Sequence, residues 1–199
     1  MADIAAGFLF VRGELSPATS FIMLLAASSL LYVAGMVLND LFDVEQDTRE
    51  RPERPIPSGR VSRTTAQALG FGMLSLGVVL AWGAGFIPAG SDSAAIPWRS
   101  GVIGTMLAVC ILAYDAVMKR TTAGPVFMGA CRLFNLLLGM SVAVGYSCGG
   151  PSWLLRFETG QLVVAGSVGI YIAGVTWFAR SEAGESSRGQ LIDGLVVMV

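Results

Sequence analysis

The sequence predicts an all-α fold, a polytopic bundle of transmembrane helices. Of its 199 residues, 54% are hydrophobic and only 14% are charged, whereas a soluble domain usually carries about 25% charged residues. Several uncharged stretches exceed 20 residues, which is about the length that a helix needs to cross the hydrocarbon core of a bilayer. This composition excludes a disordered chain, and the net charge of −1 predicts no nucleic-acid partner.

The uncharged runs predict five full spans and partial spans at both ends of one membrane domain, residues 1–199. The five runs cover residues 15–39, 64–91, 100–114, 133–155 and 159–179. The fourth extends back through Pro125 if Arg132 is tolerated inside it. Residues 4–11 and 191–199 are too short to cross alone, and we interpret them as parts of further spans of an incomplete chain; for residues 4–11 the alternative is a short interfacial helix.

The distribution of Lys and Arg predicts the orientation of the bundle. Nine of the 13 basic residues lie in the connections at 39–64, 114–124 and 180–190, and three lie in the connections on the other side. Because basic loops stay in the cytoplasm, the three basic connections are predicted to share the cytoplasmic side and to meet there.

Acidic residues crowd the cytoplasmic end of the first span. Asp40, Asp43 and Asp47 fall on one helical face, with Asn39 stacked over Asp43. Like charges this close repel one another, so something cationic is expected to hold them. Oxygen ligands without His or Cys suit Mg²⁺, which combines one or two carboxylates with water and substrate phosphate. The alternative is a solvated acidic face neutralised by the neighbouring arginines.

The second basic connection contains Lys119 and Arg120. These residues could be topological markers only, but opposite a carboxylate–Mg²⁺ cluster they would neutralise a diphosphate leaving group. The sequence has no histidine, so imidazole acid–base chemistry and His-based metal sites are excluded. The three cysteines lack the spacing of a disulfide framework or a zinc site.

Together, these motifs resemble the UbiA superfamily of intramembrane prenyltransferases. The pattern NDxxDxxxD at residues 39–47, followed by RxxRPIPSG at residues 51–59, is similar to the first aspartate-rich motif and loop of that family. The segment from Tyr114 to Arg120 is similar to its second basic loop. Residues 114–135, which include Arg132 and Asn135, resemble the EboC-like branch.

The resemblance implies a bundle of about nine helices around a cavity that holds an isoprenyl diphosphate and Mg²⁺. Ionisation of the diphosphate would give an allylic carbocation, which an aromatic or other lipophilic acceptor captures. The implied catalytic and metal-binding residues are Asp40, Asp43 and Asp47. The implied substrate-binding residues are Asn39, Arg51, Arg54, Lys119, Arg120, Arg132 and Asn135.

Arg132 lies within a predicted span, where an unpaired charge costs about 2.5–3.5 kcal/mol on insertion scales. Asn135 is three residues further on and shares its helical face. We therefore expect both side chains to line the cavity above the aspartates, with the guanidinium touching the diphosphate or an anionic acceptor. The alternative is that Arg132 extends back to the membrane surface.

The chain departs from the family in its second acidic motif. Only Glu182 and Glu185 stand after the last full span as possible ligands of a second metal ion, at a spacing that fits the family poorly. This departure favours a second hypothesis, a non-catalytic membrane component that binds or helps export a lipid or aromatic intermediate. A third, a divalent-cation transporter, requires carboxylates at mid-membrane rather than at a helix end.

Overall fold

The fold is all-helical, as the sequence predicts. A computed structural model describes residues 2–87, 96–142, 155 and 157–183. Its seven α-helices are α1 (Ala2–Arg12), α2 (Ala18–Phe42), α3 (Val44–Glu50), α4 (Arg63–Gly85), α5 (Arg99–Ala116), α6 (Gly124–Met140) and α7 (Thr159–Ala183). A short 3-10 turn, Met118–Arg120, lies between α5 and α6.

Four of these helices, α2, α4, α5 and α7, are long and apolar enough to cross a membrane. The described residues thus contain four of the five predicted full spans, and the fifth, at 133–155, lies partly outside them. The run at 133–155 begins inside α6, an apolar helix of 17 residues, and residues 143–154 lie outside the described ranges. Residues 4–11 lie in α1, which has 11 residues, and the partial span at 191–199 is outside the described residues.

Two helix boundaries differ from the uncharged runs for physical reasons. The first span continues past Asn39 to Phe42, because aspartates at a helix end do not need to leave the helix when cations hold them. Helix α6 begins at Gly124, with Pro125 in its first turn, where a missing N–H is tolerated. Arg132 thus lies inside α6, and a partner within the bundle compensates its charge.

The helices pack in a chain of neighbours. Helix α2 packs mainly on α4 and α5, and α5 also packs on α6. Helix α6 contacts α1 on one side and α7 on another. Leu24, Leu31 and Leu38 of α2 are fully buried, and their seven-residue spacing places them on one face. Apolar side chains such as Val79 and Ile170 are exposed on the outside. Such a surface suits the hydrocarbon of a bilayer.

Helices α6 and α7 approach each other through glycines. A Cβ atom at Gly129 would overlap the carbonyl oxygen of Gly169, and a Cβ atom at Gly169 would lie 3.1 Å from the carbonyl oxygen of Gly129. Without a driving force from water, membrane helices gain contact by bringing small residues together. The position of α7, whose end reaches the functional site, therefore depends on these glycines.

We expect Gly129→Val to push α7 away from α6 and to destabilise the bundle by about 1–3 kcal/mol, as overpacking typically does. The measurement is the apparent Tm of the purified chain in nanodiscs. Gly166→Val on α7 is the control, since a Cβ atom at Gly166 meets nothing within 4 Å. Equal Tm values for the two variants would contradict the assigned packing.

Candidate functional site

The helical face that carries Asp40, Asp43 and Asp47 continues across the junction between α2 and α3. The backbone N–H of Asp43 donates to the carbonyl of Asn39 at 3.1 Å, and the N–H of Asp47 donates to the carbonyl of Asp43 at 2.8 Å. These bonds keep helical spacing through the junction, although Asp43 itself ends one helix and begins the next. The predicted stripe of carboxylates is therefore present.

Arg54 joins two members of the stripe. Its Nη1 atom lies 2.8 Å from Oδ2 of Asp47 and 3.1 Å from Oδ1 of Asp40. Asp47 is almost fully buried, with 7% of its side chain exposed, whereas 44% of the Asp40 side chain is exposed. The hydrogen bond with Asp47 raises the pKa of Arg54 above its ordinary value. The loop after α3 thus folds back onto the aspartates.

Lys119 and Arg120 hold the remaining aspartate. The Nζ atom of Lys119 donates to Oδ1 of Asn39 at 2.8 Å and to Oδ2 of Asp43 at 2.7 Å. The Nη2 atom of Arg120 lies 3.1 Å from Oδ1 of Asp43. Burial alone would raise the pKa of Asp43, but bonds from the two cations outweigh it, so the pKa lies below 3.8. Both oxygens of this carboxylate are therefore bound to cations.

Arg180, at the end of α7, fixes the backbone of the basic turn. Its Nη2 atom donates to the carbonyl of Lys119 at 2.9 Å and its Nη1 atom to the carbonyl of Thr121 at 2.6 Å. Through these contacts, residues from all three connections predicted to be cytoplasmic meet. The sequence identified Arg180 only as a topological marker, although its position at the same end of the bundle was a usable signal.

We expect Arg180→Met to weaken isoprenyl diphosphate binding roughly tenfold, or about 1.4 kcal/mol, because the turn that carries Lys119 loses two backbone anchors. Equilibrium binding of an uncleavable thiolodiphosphate analogue to the chain in nanodiscs measures this effect. Arg63→Met, at the exposed start of α4, removes the same charge away from the turn. If both variants bind the analogue equally, Arg180 does not organise the site.

The donors at this site are of the type that Mg²⁺ prefers. Three carboxylates and the amide of Asn39 supply only hard oxygen atoms, and phosphate oxygens would complete the coordination. Among the described residues, no three acidic or thiol side chains converge closely enough to hold a metal ion, and basic side chains already bind the aspartates. The ligand atoms are therefore of the type that Mg²⁺ binds, once phosphate oxygens replace the carboxylates as partners of the basic side chains.

The predicted acidic pair lies partly beyond the described residues. Glu182 belongs to the last turn of α7, and Glu185 is outside the described ranges. Arg51, a predicted substrate-binding residue, is exposed, and within the described ranges its side chain forms no hydrogen bond or ion pair. The roles assigned to these three residues stay predictions.

Arg132 and Asn135 point together, as predicted, but towards α1 rather than towards the aspartates. Arg132 Nη1 lies 2.7 Å from Oδ2 of Asp3, and Asn135 Nδ2 donates to the same oxygen at 3.0 Å. Ser28 Oγ donates to Oδ1 of Asn135 at 2.7 Å. Ser28 is 11 residues before Asn39 on α2, or about 16 Å along the helix axis. In this structure both side chains therefore contact Asp3, and their contact with the diphosphate or an anionic acceptor stays a prediction.

Sequence reasoning missed two buried or partly buried acids. Asp3 is a single charged residue in an apolar segment. The usable signal was that a carboxylate in such a segment needs a partner. Asp115, in the last turn of α5, is 4% exposed and was noted only as part of the second motif. Both carboxylates depend on tertiary contacts that no local pattern reveals.

Comparison with known families shows to which family this chain belongs. Residues 2–186 match the model of the UbiA prenyltransferase family. The chain belongs to that family. This confirms the resemblance drawn from the two motifs and establishes a multi-pass integral membrane protein of helical fold. The assignment to the EboC-like branch stays a prediction.

Three curated relatives show what UbiA-family proteins this chain is similar to. All three are named digeranylgeranylglyceryl phosphate synthase. The protein from Metallosphaera sedula is 29% identical over 69% of this chain and 43% of its own length. For Methanoregula boonei the values are 47%, 40% and 29%, and for Saccharolobus solfataricus they are 31%, 64% and 39%.

The matches thus cover less than half of each of these relatives. No solved structure matches the chain.

Proposed function

We propose that this chain carries the diphosphate-binding part of an intramembrane prenyltransferase, which transfers a prenyl group from an isoprenyl diphosphate to a lipophilic acceptor. One observation carries the proposal: Arg54, Lys119 and Arg120 converge on carboxylates at the junction of α2 and α3. A cluster that contains both basic groups for phosphate and oxygen ligands for a divalent cation suits a metal–diphosphate.

Binding is proposed to proceed by exchange of partners. Diphosphate oxygens would take the place of carboxylate oxygens on Lys119 and Arg120, and this would free Asp43 for the metal. When bound, Mg²⁺ would neutralise charge on the leaving group. The exchange explains how the same aspartates can be paired with cations in one state and bind a metal in another.

The chemistry requires stabilisation of the leaving group more than a general base. The allylic carbon–oxygen bond breaks, its electron pair leaves with the diphosphate, and the resulting carbocation bonds to the acceptor. Preorganised cations stabilise the departing charge most where water is excluded. Leu38 and Leu41, on the turns of α2 next to Asn39, are buried apolar residues that would exclude water on the membrane side.

The acceptor is the less defined substrate. An aromatic or other lipophilic acceptor is expected from the family, and the relatives' name adds a glyceryl phosphate lipid as a specific case. Arg132 and Asn135 stay candidate ligands for the polar part of the acceptor, but Asp3 already compensates the Arg132 charge. An acceptor at this position would have to share or displace that carboxylate.

The alternative, a non-catalytic component that binds or helps export a lipid or aromatic intermediate, rests on the weak second acidic motif. It predicts binding of an isoprenoid without release of diphosphate. A cation transporter is disfavoured because the carboxylates lie at the end of α2 rather than near its middle.

We further propose that the site faces the cytoplasm, on the basis of the Lys and Arg asymmetry. We expect single cysteines introduced at Glu50 and Arg60 into a background without native cysteines to react with an impermeant maleimide from the same side of oriented vesicles. A cysteine at Glu14, in the connection between α1 and α2, is the control for the opposite side. Labelling of residues 14 and 50 from one face would refute the orientation.

The experiment that tests the function is prenyl transfer in proteoliposomes. Radiolabelled geranylgeranyl diphosphate is supplied with Mg²⁺ and either geranylgeranylglyceryl phosphate or an aromatic acid such as 4-hydroxybenzoate. A prenylated product together with released diphosphate supports the proposal and identifies the acceptor class. Tight isoprenoid binding without release of diphosphate from any donor would support the non-catalytic alternative instead.

A further inference from the structure

Asp115 is a buried acid that the site described above leaves unused. It lies in the last turn of α5, with 4% of its surface exposed. Its Oδ2 atom is fully buried and has no hydrogen-bond partner among the described residues. A buried carboxylate without a partner is costly, and such groups in native proteins call for an explanation.

The position of Asp115 relates it to Lys119. A Cβ atom on Gly35 of α2 would lie 3.9 Å from Asp115 Oδ2, so this oxygen faces α2 one turn before Asn39. It therefore lies on the membrane side of the network formed by Lys119, Asn39 and Asp43. Lys119 follows Asp115 by four residues, in the short turn Met118–Arg120 directly after α5.

Lys119 has the capacity for another acceptor. An ammonium group has three N–H donors, and Asn39 and Asp43 account for two of them. If Asp43 binds a metal ion and Lys119 binds phosphate oxygens, the ammonium group no longer has a fixed protein anion beside it. The lysine side chain is flexible, so a fixed acceptor would hold its ammonium group in one position.

We propose that Asp115 is a positioning residue, which accepts a hydrogen bond from Lys119 when Asp43 releases it, and so holds the ammonium against the diphosphate. The inference rests on the proposed function, because the release of Asp43 is a step of substrate binding. Asp115 acts through Lys119 and does not itself touch the substrate or the metal. Its carboxylate is kept without a hydrogen bond in the substrate-free state so that it is available in the bound state.

The test measures Mn²⁺ binding by electron paramagnetic resonance in the presence of uncleavable geranylgeranyl thiolodiphosphate, with the full chain in nanodiscs. Asp115→Asn keeps the shape and removes the charge. It should weaken Mn²⁺ affinity about tenfold, within the range found when a partner outside the ligand shell is lost. Asp115→Glu should retain most of the affinity, and the Tm of Asp115→Asn should equal or exceed that of the parent.

A double-variant comparison separates positioning from a general structural role. In a Lys119→Gln background, Asp115→Asn should cause no further loss of Mn²⁺ affinity, since its effect passes through the ammonium. Glu45→Gln on α3 is the control for the loss of a nearby negative charge, because Glu45 is exposed. Should Asp115→Asn not reach the membrane, Asp115→Ser takes its place in the same scheme.

The outcomes distinguish the inference from the function on which it rests. Mn²⁺-dependent binding by the parent with an unchanged Asp115→Asn variant would overturn the inference alone. Independent, additive losses from Asp115→Asn and Lys119→Gln would overturn it as well. If the parent shows no Mn²⁺-dependent binding of the analogue, the proposed function fails and the inference fails with it.

Discussion

Asp43→Asn is expected to lower prenyl transfer by at least about 100-fold, comparable to the loss of a principal charge-stabilising group from an active site. Asp43 is the carboxylate that both Lys119 and Arg120 bind, and it is proposed to bind the metal. The measurement is the initial rate of diphosphate release from labelled geranylgeranyl diphosphate. Glu45→Gln provides the charge-matched control and should keep the parental rate.

For the same variant, we expect no loss of diphosphate affinity when the metal is absent. Replacing Asp43 removes the carboxylate that competes for Lys119 and Arg120, so inorganic diphosphate should bind Asp43→Asn at least as tightly as the parent in the presence of a chelator. With Mg²⁺, only the parent should gain affinity. A variant whose affinity for diphosphate rises with Mg²⁺ as much as the parent's would show that Asp43 is not a metal ligand.

Lys119→Met is expected to weaken the analogue's affinity on the order of 30-fold, whereas Arg120→Met should weaken it no more than about fivefold. The difference follows from exposure: 12% of the Lys119 side chain is exposed, against 58% for Arg120. A hydrogen bond to a charged group is worth about 1.5–3 kcal/mol, while an exposed ion pair contributes about 0–1 kcal/mol.

Isothermal titration of the thiolodiphosphate analogue into nanodiscs that contain each variant gives the two affinities directly. Lys119→Arg serves as a further control, since it keeps the positive charge and tests whether the compact ammonium is required. A larger loss for Arg120→Met than for Lys119→Met would reverse the assignment of the principal phosphate ligand.

The parts of the site that the sequence predicts are those set by local spacing. The stripe of Asp40, Asp43 and Asp47 follows from helical periodicity, and the backbone bonds across the junction at Asp43 preserve it. The positive-inside distribution and the resemblance also predict that the connection at 114–124 meets the aspartates. The length of the uncharged runs and the composition of the chain likewise predict a helical bundle.

What the sequence did not predict depends on contacts between distant helices. The shared helical face of Arg132 and Asn135 predicts that both line the cavity, but only the packing of α1 on α6 shows that Asp3 binds both side chains. Arg180 was interpreted as a marker of orientation, and only the packing of α7 on α6 shows that it anchors the turn at Lys119. Which cation pairs with which carboxylate is likewise a tertiary property.

We propose that the ends of α2 and α7 and the turn Met118–Arg120 together form a Mg²⁺-dependent site for isoprenyl diphosphate. The most direct measurement compares equilibrium binding of geranylgeranyl thiolodiphosphate to the parent chain in nanodiscs with Mg²⁺ and with a chelator, beside a variant in which Asp40, Asp43 and Asp47 are all Asn. The parent is predicted to bind the analogue tightly only with Mg²⁺, and the triple variant is predicted to show no response to the metal. Equal affinity of the parent with Mg²⁺ and with chelator, or a triple variant that responds to Mg²⁺ as the parent does, would contradict it.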